Sequence, residues 1–161
     1  MTEQKIGFGG GCHWCTEAVF QSLSGVNTVE QGWIASDDEN SNFSEAVIVN
    51  YNPESINLIT LIEIHLLSHS STANHCFRHK YRSAIYYLNK SQKAEVEKAF
   101  SEAKSILDKE PITKVLPLCD FRLNKDEFLN YYQKRQEAPF CQTYISPKLV
   151  MLRQRYAKQL N

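Results

Sequence analysis

Apolar residues recur along the chain with two periods, and these periods predict strands and helices in turn. In the first half, strands are predicted at residues 5–8, 26–33 and 46–51, and helices after residue 12 and at residues 57–68. Val47, Val49 and Tyr51 alternate in the third strand, so this strand should begin next to Glu45.

In the second half, strands are predicted at residues 83–88 and 112–116, and helices are predicted to begin at Ser91, Asn124 and Ser146. Serine is a common helix cap, and Pro147 suits the first position of the last helix. The helix that begins at Asn124 should extend through residue 135. Strands and helices follow one another without strict alternation, which favours a two-layer α+β fold.

The composition is typical of a soluble globular protein, with 42% hydrophobic residues and 18 basic against 18 acidic side chains among 161 residues. These charges are interspersed, without the basic stripe of a nucleic-acid-binding surface. No apolar run is long enough to cross a membrane, and no secretory leader is visible, so a cytoplasmic location is expected. A single domain, 1–161, is expected from the length.

Five cysteines, an odd number in a chain of this size, favour redox-active thiols over a framework of structural disulfides. Zinc is the alternative, because Cys12 and Cys15 have the spacing of a metal-ligand pair. A second group of candidate ligands follows at His65, His69, His75, Cys76 and His79. Because the two groups lie far apart in sequence, zinc is the minor alternative, and no metal or other cofactor is expected. Cys119 is interpreted as a core residue.

The chemistry of the chain centres on Cys12, which follows three consecutive glycines. Cys12 is predicted to lie where a strand turns into a helix, and the unpaired N–H groups of a helix start favour a thiolate. The glycines would keep side chains away from the approach to the sulfur. Spacing alone supports equally well a buried cysteine that packs as a small hydrophobe after a glycine-rich turn.

The run Gly-Gly-Cys-His-Trp at residues 10–14 resembles the active-site signature of the peptide methionine sulfoxide reductase A family. Three more motifs follow in the order of that family, namely Ser-Glu-Ala-Val at 44–47, Tyr-Arg-Ser-Ala-Ile at 81–85 and a cysteine segment at 140–149. The resemblance covers nearly the whole chain. It implies a ferredoxin-like core with a mixed sheet and a decorated C-terminal tail, 136–161.

The resemblance also implies the reaction, which is thiol-dependent reduction of methionine S-sulfoxide, free or within proteins, with thioredoxin as reductant. Cys12 would attack as a thiolate and become a sulfenic acid, and Glu45 would donate the proton that the departing oxygen needs. Tyr81 would donate a hydrogen bond to the sulfoxide oxygen. His13 and Trp14 would line the pocket for the methyl group. A monomer is expected.

The sulfenic acid on Cys12 needs a second thiol, and several cysteines compete for this role. Cys141 lies in the segment that resembles the family's mobile resolving tail, so a Cys12–Cys141 bond is expected first. Cys15 is the nearest cysteine in sequence and could act as a relay. Cys76 stands where the family has an aspartate, and it could simply fill that space.

Some positions depart from the family pattern. His13 stands where phenylalanine is usual and adds a titratable group. The loop at residues 36–42 is short and lacks the family's tyrosine, and residues 121–124 differ from the expected aromatic and proline-rich sequence. Two rival hypotheses therefore stay open: a catalytically silent relative that binds an oxidised-methionine segment or a partner protein, and a zinc-binding module.

Overall fold

The computed structural model describes residues 3–69, 71, 81–139 and 141–156, without the side chain of residue 144. The elements of the first half are β1 (Gln4–Gly9), α1 (His13–Gln21), β2 (Val26–Ala35), β3 (Ser44–Tyr51), α2 (Leu58–Ser68) and β4 (Ala84–Tyr87). Those of the second half are α3 (Lys90–Ala103), β5 (Lys114–Pro117), β6 (Asp120–Leu123), α4 (Tyr131–Lys134) and α5 (Ser146–Arg155).

The described strands form one mixed sheet in the order β5-β4-β1-β3-β2-β6. Strand β1 lies antiparallel between β3 and β4, β2 is antiparallel to β3 and β6, and β5 runs parallel to β4. The first four strands and two helices follow the β-α-β-β-α-β order of a ferredoxin-like unit. The α+β, ferredoxin-like core expected from the sequence is confirmed.

The main hydrophobic core lies between the sheet and its helices. Val47 and Val49 of β3 contribute to this core together with residues of α1, α2 and α3. Phe8 of β1 stacks on Phe20 of α1, with ring centroids 4.7 Å apart. Because side chains alternate along a strand, Glu45 points to the same face as Val47, the face that α1 covers.

The region predicted as one helix from residue 124 to residue 135 is not one helix, and that prediction is wrong. It contains a 3-10 turn, Asp126–Phe128, and then the four-residue helix α4. Asn130 separates them with a φ of 55°, a left-handed conformation that interrupts a right-handed helix. Just before this region lies β6, a strand that the sequence analysis did not predict.

Several ends of elements also differ from expectation. The cap of α3 is Asn89, whose side chain accepts a hydrogen bond from the N–H of Gln92, instead of Ser91. Ser146 is the first residue of α5 and not its cap, because a π-helical turn, Cys141–Ile145, leads directly into the helix. Cys119 is exposed, so its interpretation as a core residue is wrong.

Candidate active site

Cys12 lies at the junction between β1 and α1, where it is the N-cap residue of the helix. Its carbonyl oxygen accepts hydrogen bonds from the N–H groups of Cys15 at 3.1 Å and Thr16 at 3.2 Å, which begin the first helical turn. The Cys12 side chain is half-buried. The strand-to-helix position predicted from the sequence is therefore the one observed.

Hydrogen bonds to the Cys12 sulfur lower the pKa of this thiol below its ordinary value of 9.0. The strongest comes from the Cys15 thiol, and the backbone N–H groups of Trp14 and Cys15 add to it. Burial and the negative charge of Glu45 act in the opposite direction. The helix start therefore stabilises the thiolate at Cys12 more than its partly buried surroundings destabilise it.

The glycines before Cys12 pack against histidines at the end of α2. His65 Nε2 donates to the carbonyl oxygen of Gly9 across 2.7 Å. A β-carbon at Gly10 would lie only 2.5 Å from the His69 ring, so a side chain there would displace the ring. His65 and His69 thus support the loop that presents Cys12.

The other candidate zinc ligands of the same cluster, His75, Cys76 and His79, lie outside the described residues. Among the residues that are described, no group of three or more His, Cys, Asp or Glu side chains is arranged to hold a metal ion.

Glu45 begins β3 and is buried, with its carboxylate directed at the start of α1. Its Oε1 atom accepts a hydrogen bond from the backbone N–H of His13 at 3.1 Å. The Nε2 atom of the His13 ring lies 3.5 Å from the same oxygen. Glu45 therefore lies beside the start of α1, where Cys12 is the N-cap residue.

His13 is buried, with 5% of its surface exposed. Its Nδ1 atom lies 2.8 Å from the carbonyl oxygen of Gly32 on β2, and its ring packs edge-on to that of Trp33, with centroids 5.1 Å apart. The ring thus lies between the sheet and α1.

Trp14 is half-buried and takes part in an aromatic stack that the sequence analysis missed. Tyr131 of α4 lies parallel to the indole, with centroids 4.0 Å apart and 6° between the planes, and Phe128 also stacks on the indole, with centroids 5.9 Å apart. Buried Glu17 fixes this arrangement, because its two carboxylate oxygens accept the N–H groups of Asn130 and Tyr131 at 2.9 and 3.0 Å. Glu17 stands among the apolar residues of α1, and an acidic residue in that position could have indicated a buried polar contact.

Tyr81 is half-buried and immediately precedes Arg82, which is anchored beside Glu45. The Arg82 N–H donates to the Ser44 hydroxyl at 2.8 Å, and Ser44 is the residue before Glu45. The guanidinium group of Arg82 is buried and donates to the carbonyl oxygen of Ile34 at 3.0 Å. These bonds connect the segment that carries Tyr81 to the start of β3.

Cys15 and Cys141 lie in one small hydrophobic cluster together with Ala18 and Ile145, and Cys12 and Trp14 pack against it. Cys141 is completely buried. The hydrogen bond to Cys12, followed by burial, raises the pKa of Cys15, and the charge of Lys148 partly offsets this rise. Cys15 interacts with both Cys12 and Cys141, so the helix-start thiol and the C-terminal thiol are both near it.

Comparisons with known proteins identify the family. A sequence model of peptide methionine sulfoxide reductase matches residues 4–160. The peptide methionine sulfoxide reductase MsrA of Chromobacterium violaceum is 31% identical over 173 residues, which cover 98% of this chain and 98% of that protein.

Solved structures share the fold. Methionine sulfoxide reductase A of Corynebacterium diphtheriae has a TM-score of 0.71 at 22% identity, over 84% of this chain and 76% of that one. Mxr1 from Saccharomyces cerevisiae in complex with Trx2 has a TM-score of 0.61 at 21% identity, over 80% of this chain and 84% of that one.

The fold, with a thiol of lowered pKa at a helix start beside a buried carboxylate, defines an enzyme of the thiol-dependent reductase class. Because the family match extends over nearly the whole sequence, the chain belongs to the peptide methionine sulfoxide reductase family. The family and the enzymatic class expected from the sequence are thus confirmed. In the described part of the chain, no helix has both the length and the apolar character needed to span a membrane.

Proposed function

We propose that the chain reduces the S epimer of methionine sulfoxide, free or within proteins, with Cys12 as nucleophile and Glu45 as acid. The Cys12 thiolate attacks the sulfoxide sulfur while Glu45 gives its proton to the oxygen. The oxygen ends on Cys12 as a sulfenic acid, and methionine leaves as the thioether. One thiolate, one sulfoxide and one proton are consumed, and one sulfenic acid and one thioether are formed.

The observation that carries this proposal is the pairing of a stabilised thiolate with a buried carboxylate at one helix start. The pKa of Cys12 is lowered by the Cys15 thiol and by two backbone N–H groups, which favours the thiolate, the nucleophilic form of cysteine. Glu45 is shielded from water and lies beside the first turn of α1. A nucleophile and an acid in adjacent positions are what the reduction of a sulfoxide requires.

The aromatic stack supports Trp14 as a wall of the substrate site. An indole held flat by Tyr131 presents a rigid apolar surface, which suits the methyl group of the substrate. Tyr81, whose segment is anchored beside Glu45, is proposed to donate a hydrogen bond to the sulfoxide oxygen.

We propose Cys15 as a relay between Cys12 and Cys141. The Cys15 thiol attacks the sulfenic acid, forms the Cys12–Cys15 disulfide and releases water. Cys141 then attacks the Cys15 sulfur, and Cys12 departs as a thiolate. A thiol of lowered pKa is the better leaving group, which favours this direction of exchange. Burial of Cys141 next to Cys15 supports the relay over direct attack on Cys12 by a swinging tail.

The Cys15–Cys141 disulfide would then be reduced by an external dithiol, which becomes a disulfide itself. The complex of Mxr1 with Trx2 supports a thioredoxin-type protein as this reductant. We propose that the enzyme acts as a monomer in the cytoplasm, as one catalytic domain, 1–161, whose C-terminal tail, 136–161, carries the last thiol. Size-exclusion chromatography with light scattering tests the monomer.

An assay on the two separate epimers of methionine sulfoxide, with dithiothreitol as reductant, tests the proposal. We expect thioether from the S epimer only, and none from the Cys12→Ser variant, because a serine hydroxyl is not ionised near neutral pH. Product from neither epimer would instead support a catalytically silent relative. Substantial activity of folded Cys12→Ser protein would refute the first step.

A further inference from the structure

The two nitrogen atoms of the His13 ring face different partners inside the protein. Nδ1 lies 2.8 Å from the Gly32 carbonyl oxygen, whereas Nε2 lies 3.5 Å from Oε1 of Glu45. A carbonyl oxygen can only accept a hydrogen bond, so Nδ1 carries a proton. The nitrogen that gains or loses a proton is therefore Nε2, which faces the carboxylate.

This geometry limits the protonation states that Glu45 and His13 adopt together. If both Nε2 and the carboxylate lack a proton, two electron-rich atoms face each other out of contact with water, which is unfavourable. One proton between them removes this conflict, either as an imidazolium beside a carboxylate or as a neutral imidazole beside a carboxylic acid. Both states contain the same single proton.

Asn124 favours the state in which the imidazole is neutral and Glu45 carries the proton. Its Oδ1 accepts the N–H of Lys125 at 2.8 Å, which fixes the orientation of the amide. Its Nδ2 donates to Gln31 Oε1 at 2.6 Å and lies 3.5 Å from His13 Nε2. Because an amide N–H beside Nε2 repels a second N–H there, Nε2 is better left as an acceptor, and the proton is better placed on Glu45.

We propose that His13 and Glu45 share one proton, and that His13 is the positioning residue that keeps this proton on Glu45 until the sulfoxide oxygen takes it. This inference rests on the proposed function, in which Glu45 is the acid. It gives the His13 ring a place behind the acid, instead of in the methyl pocket that the family resemblance implied.

The His13 ring opposes a hydrogen bond that favours the charged form of Glu45. The backbone N–H of His13, at the start of α1, donates to Oε1 at 3.1 Å, and a donor at a helix start favours the charged carboxylate. Replacing the ring removes the Nε2 lone pair, which opposes that effect. The site would then lose its acid at a lower pH.

The pair also connects to the nucleophile. The titratable group that the described structure places beside the His13 ring is Glu45 on β3, while Asn124 and Trp33 carry no charge. Cys12 immediately precedes His13 in the chain. A proton that leaves the Cys12 thiol and arrives on the pair yields a thiolate and an acid together. Since the negative charge of Glu45 raises the pKa of Cys12, a protonated pair stabilises the thiolate in turn.

The test compares the pH dependence of single-turnover sulfoxide reduction in wild type and His13→Phe. We expect the alkaline fall in rate to move to lower pH in the variant, by about one pH unit. Trp33→Phe is the matched control, because it changes the packing on the same ring without removing a titratable group, and its alkaline limb should not move. Superimposable limbs for wild type and folded His13→Phe would overturn the proposal.

Glu45→Gln distinguishes a shared proton from a packing role. If His13 acts through Glu45, adding His13→Phe to Glu45→Gln should cause no further shift in the profile. If His13→Phe lowers the rate by the same factor in wild type and in Glu45→Gln, the ring only fills space, and the proposal is overturned.

A second measurement needs no variant of His13. We expect 15N spectra of labelled histidine in wild type to show His13 Nδ1 protonated and Nε2 unprotonated near neutral pH, because the shared proton rests on Glu45. A protonated Nε2 under these conditions would place the proton on His13 and overturn the proposal even if the enzyme is active. A wild type that reduces neither epimer would refute the proposed function, while these spectra would still report on the pair.

Discussion

At the scale of single residues, the reactivity of Cys12 depends on the hydrogen-bond donors around its sulfur, of which the Cys15 thiol is the strongest. We expect Cys15→Ala to raise the pKa of Cys12, because the donor is lost. In Cys15→Ser, whose hydroxyl can still donate, the pKa should stay closer to that of wild type. The pKa of Cys12 is measured from the rate at which iodoacetamide alkylates Cys12 in the folded protein at each pH. Mass spectrometry of the Cys12 peptide after digestion gives this rate. An unchanged pKa in Cys15→Ala would contradict this account.

The acid is tested by Glu45→Gln, which keeps the shape of the side chain and loses its transferable proton. We expect the single-turnover rate of sulfoxide reduction to fall by roughly 10²–10⁴-fold, the usual contribution of a general acid. Glu30→Gln on the neighbouring strand β2 makes the same chemical change outside the site and should react at the wild-type rate. An unchanged rate for Glu45→Gln would eliminate the role.

At the scale of elements, Glu17 links α1 to the segment that carries Tyr131. We expect Glu17→Ala to lower the free energy of unfolding by about 1–3 kcal/mol, since two N–H groups lose a buried carboxylate. The Trp14–Tyr131 stack should loosen, and KM should rise more than kcat falls. Urea unfolding and steady-state kinetics measure both effects.

The matched control for Glu17 is Gln21→Ala, which removes an exposed hydrogen bond of 2.6 Å to the side chain of Asn130. Because that bond lies at the surface, its loss should change stability and KM little. If the two variants behave alike, the buried carboxylate is not what orders α4.

The route of the disulfide also belongs to this scale, because Cys141 lies in the π-helical turn that leads into α5. After one equivalent of sulfoxide without reductant, we expect the Cys12–Cys15 bond to accumulate in Cys141→Ser and the Cys15–Cys141 bond in wild type. Peptide mapping distinguishes them. A Cys12–Cys141 bond in Cys15→Ser, formed as fast as wild type forms its first bond, would favour a swinging tail over the relay.

The elements that carry local signals were predictable. Alternating apolar residues located β3 and therefore Glu45, and the glycines before Cys12 located the strand-to-helix junction. The break at Asn130 could not be read from periodicity, because the apolar pattern continues through a residue whose backbone is left-handed. The position of the His13 ring was also hidden, since it depends on Gly32 and Asn124, which are distant in sequence and meet only in the sheet.

At the scale of the whole molecule, Tyr51 makes stability depend on alkaline pH. Burial, with a contribution from Glu95, raises the pKa of Tyr51 from 10.0 to about 12. Since the pKa is higher in the folded state than in the unfolded state, the stabilisation is complete below pH 10 and is lost as pH rises toward 12. We expect Tyr51→Phe to flatten the fall in unfolding free energy over this window.

Urea midpoints measured between pH 9 and about 12 test this effect of Tyr51. Tyr87→Phe, at a half-buried position on β4, is the control and should keep the wild-type slope. A parallel fall in wild type and Tyr51→Phe would assign the alkaline loss of stability to other groups.

The two outer strands of the described sheet limit which proteins can associate with this enzyme by pairing strands. Both β5 and β6 have only four residues; β5 ends at Pro117, and β6 carries Asp120 and Arg122. Short, charged or proline-bearing edges resist the addition of a foreign strand. Partly unfolded proteins expose extended segments that can pair with such edges. If the substrates of this enzyme include proteins of that kind, its short, charged edges limit aggregation with them.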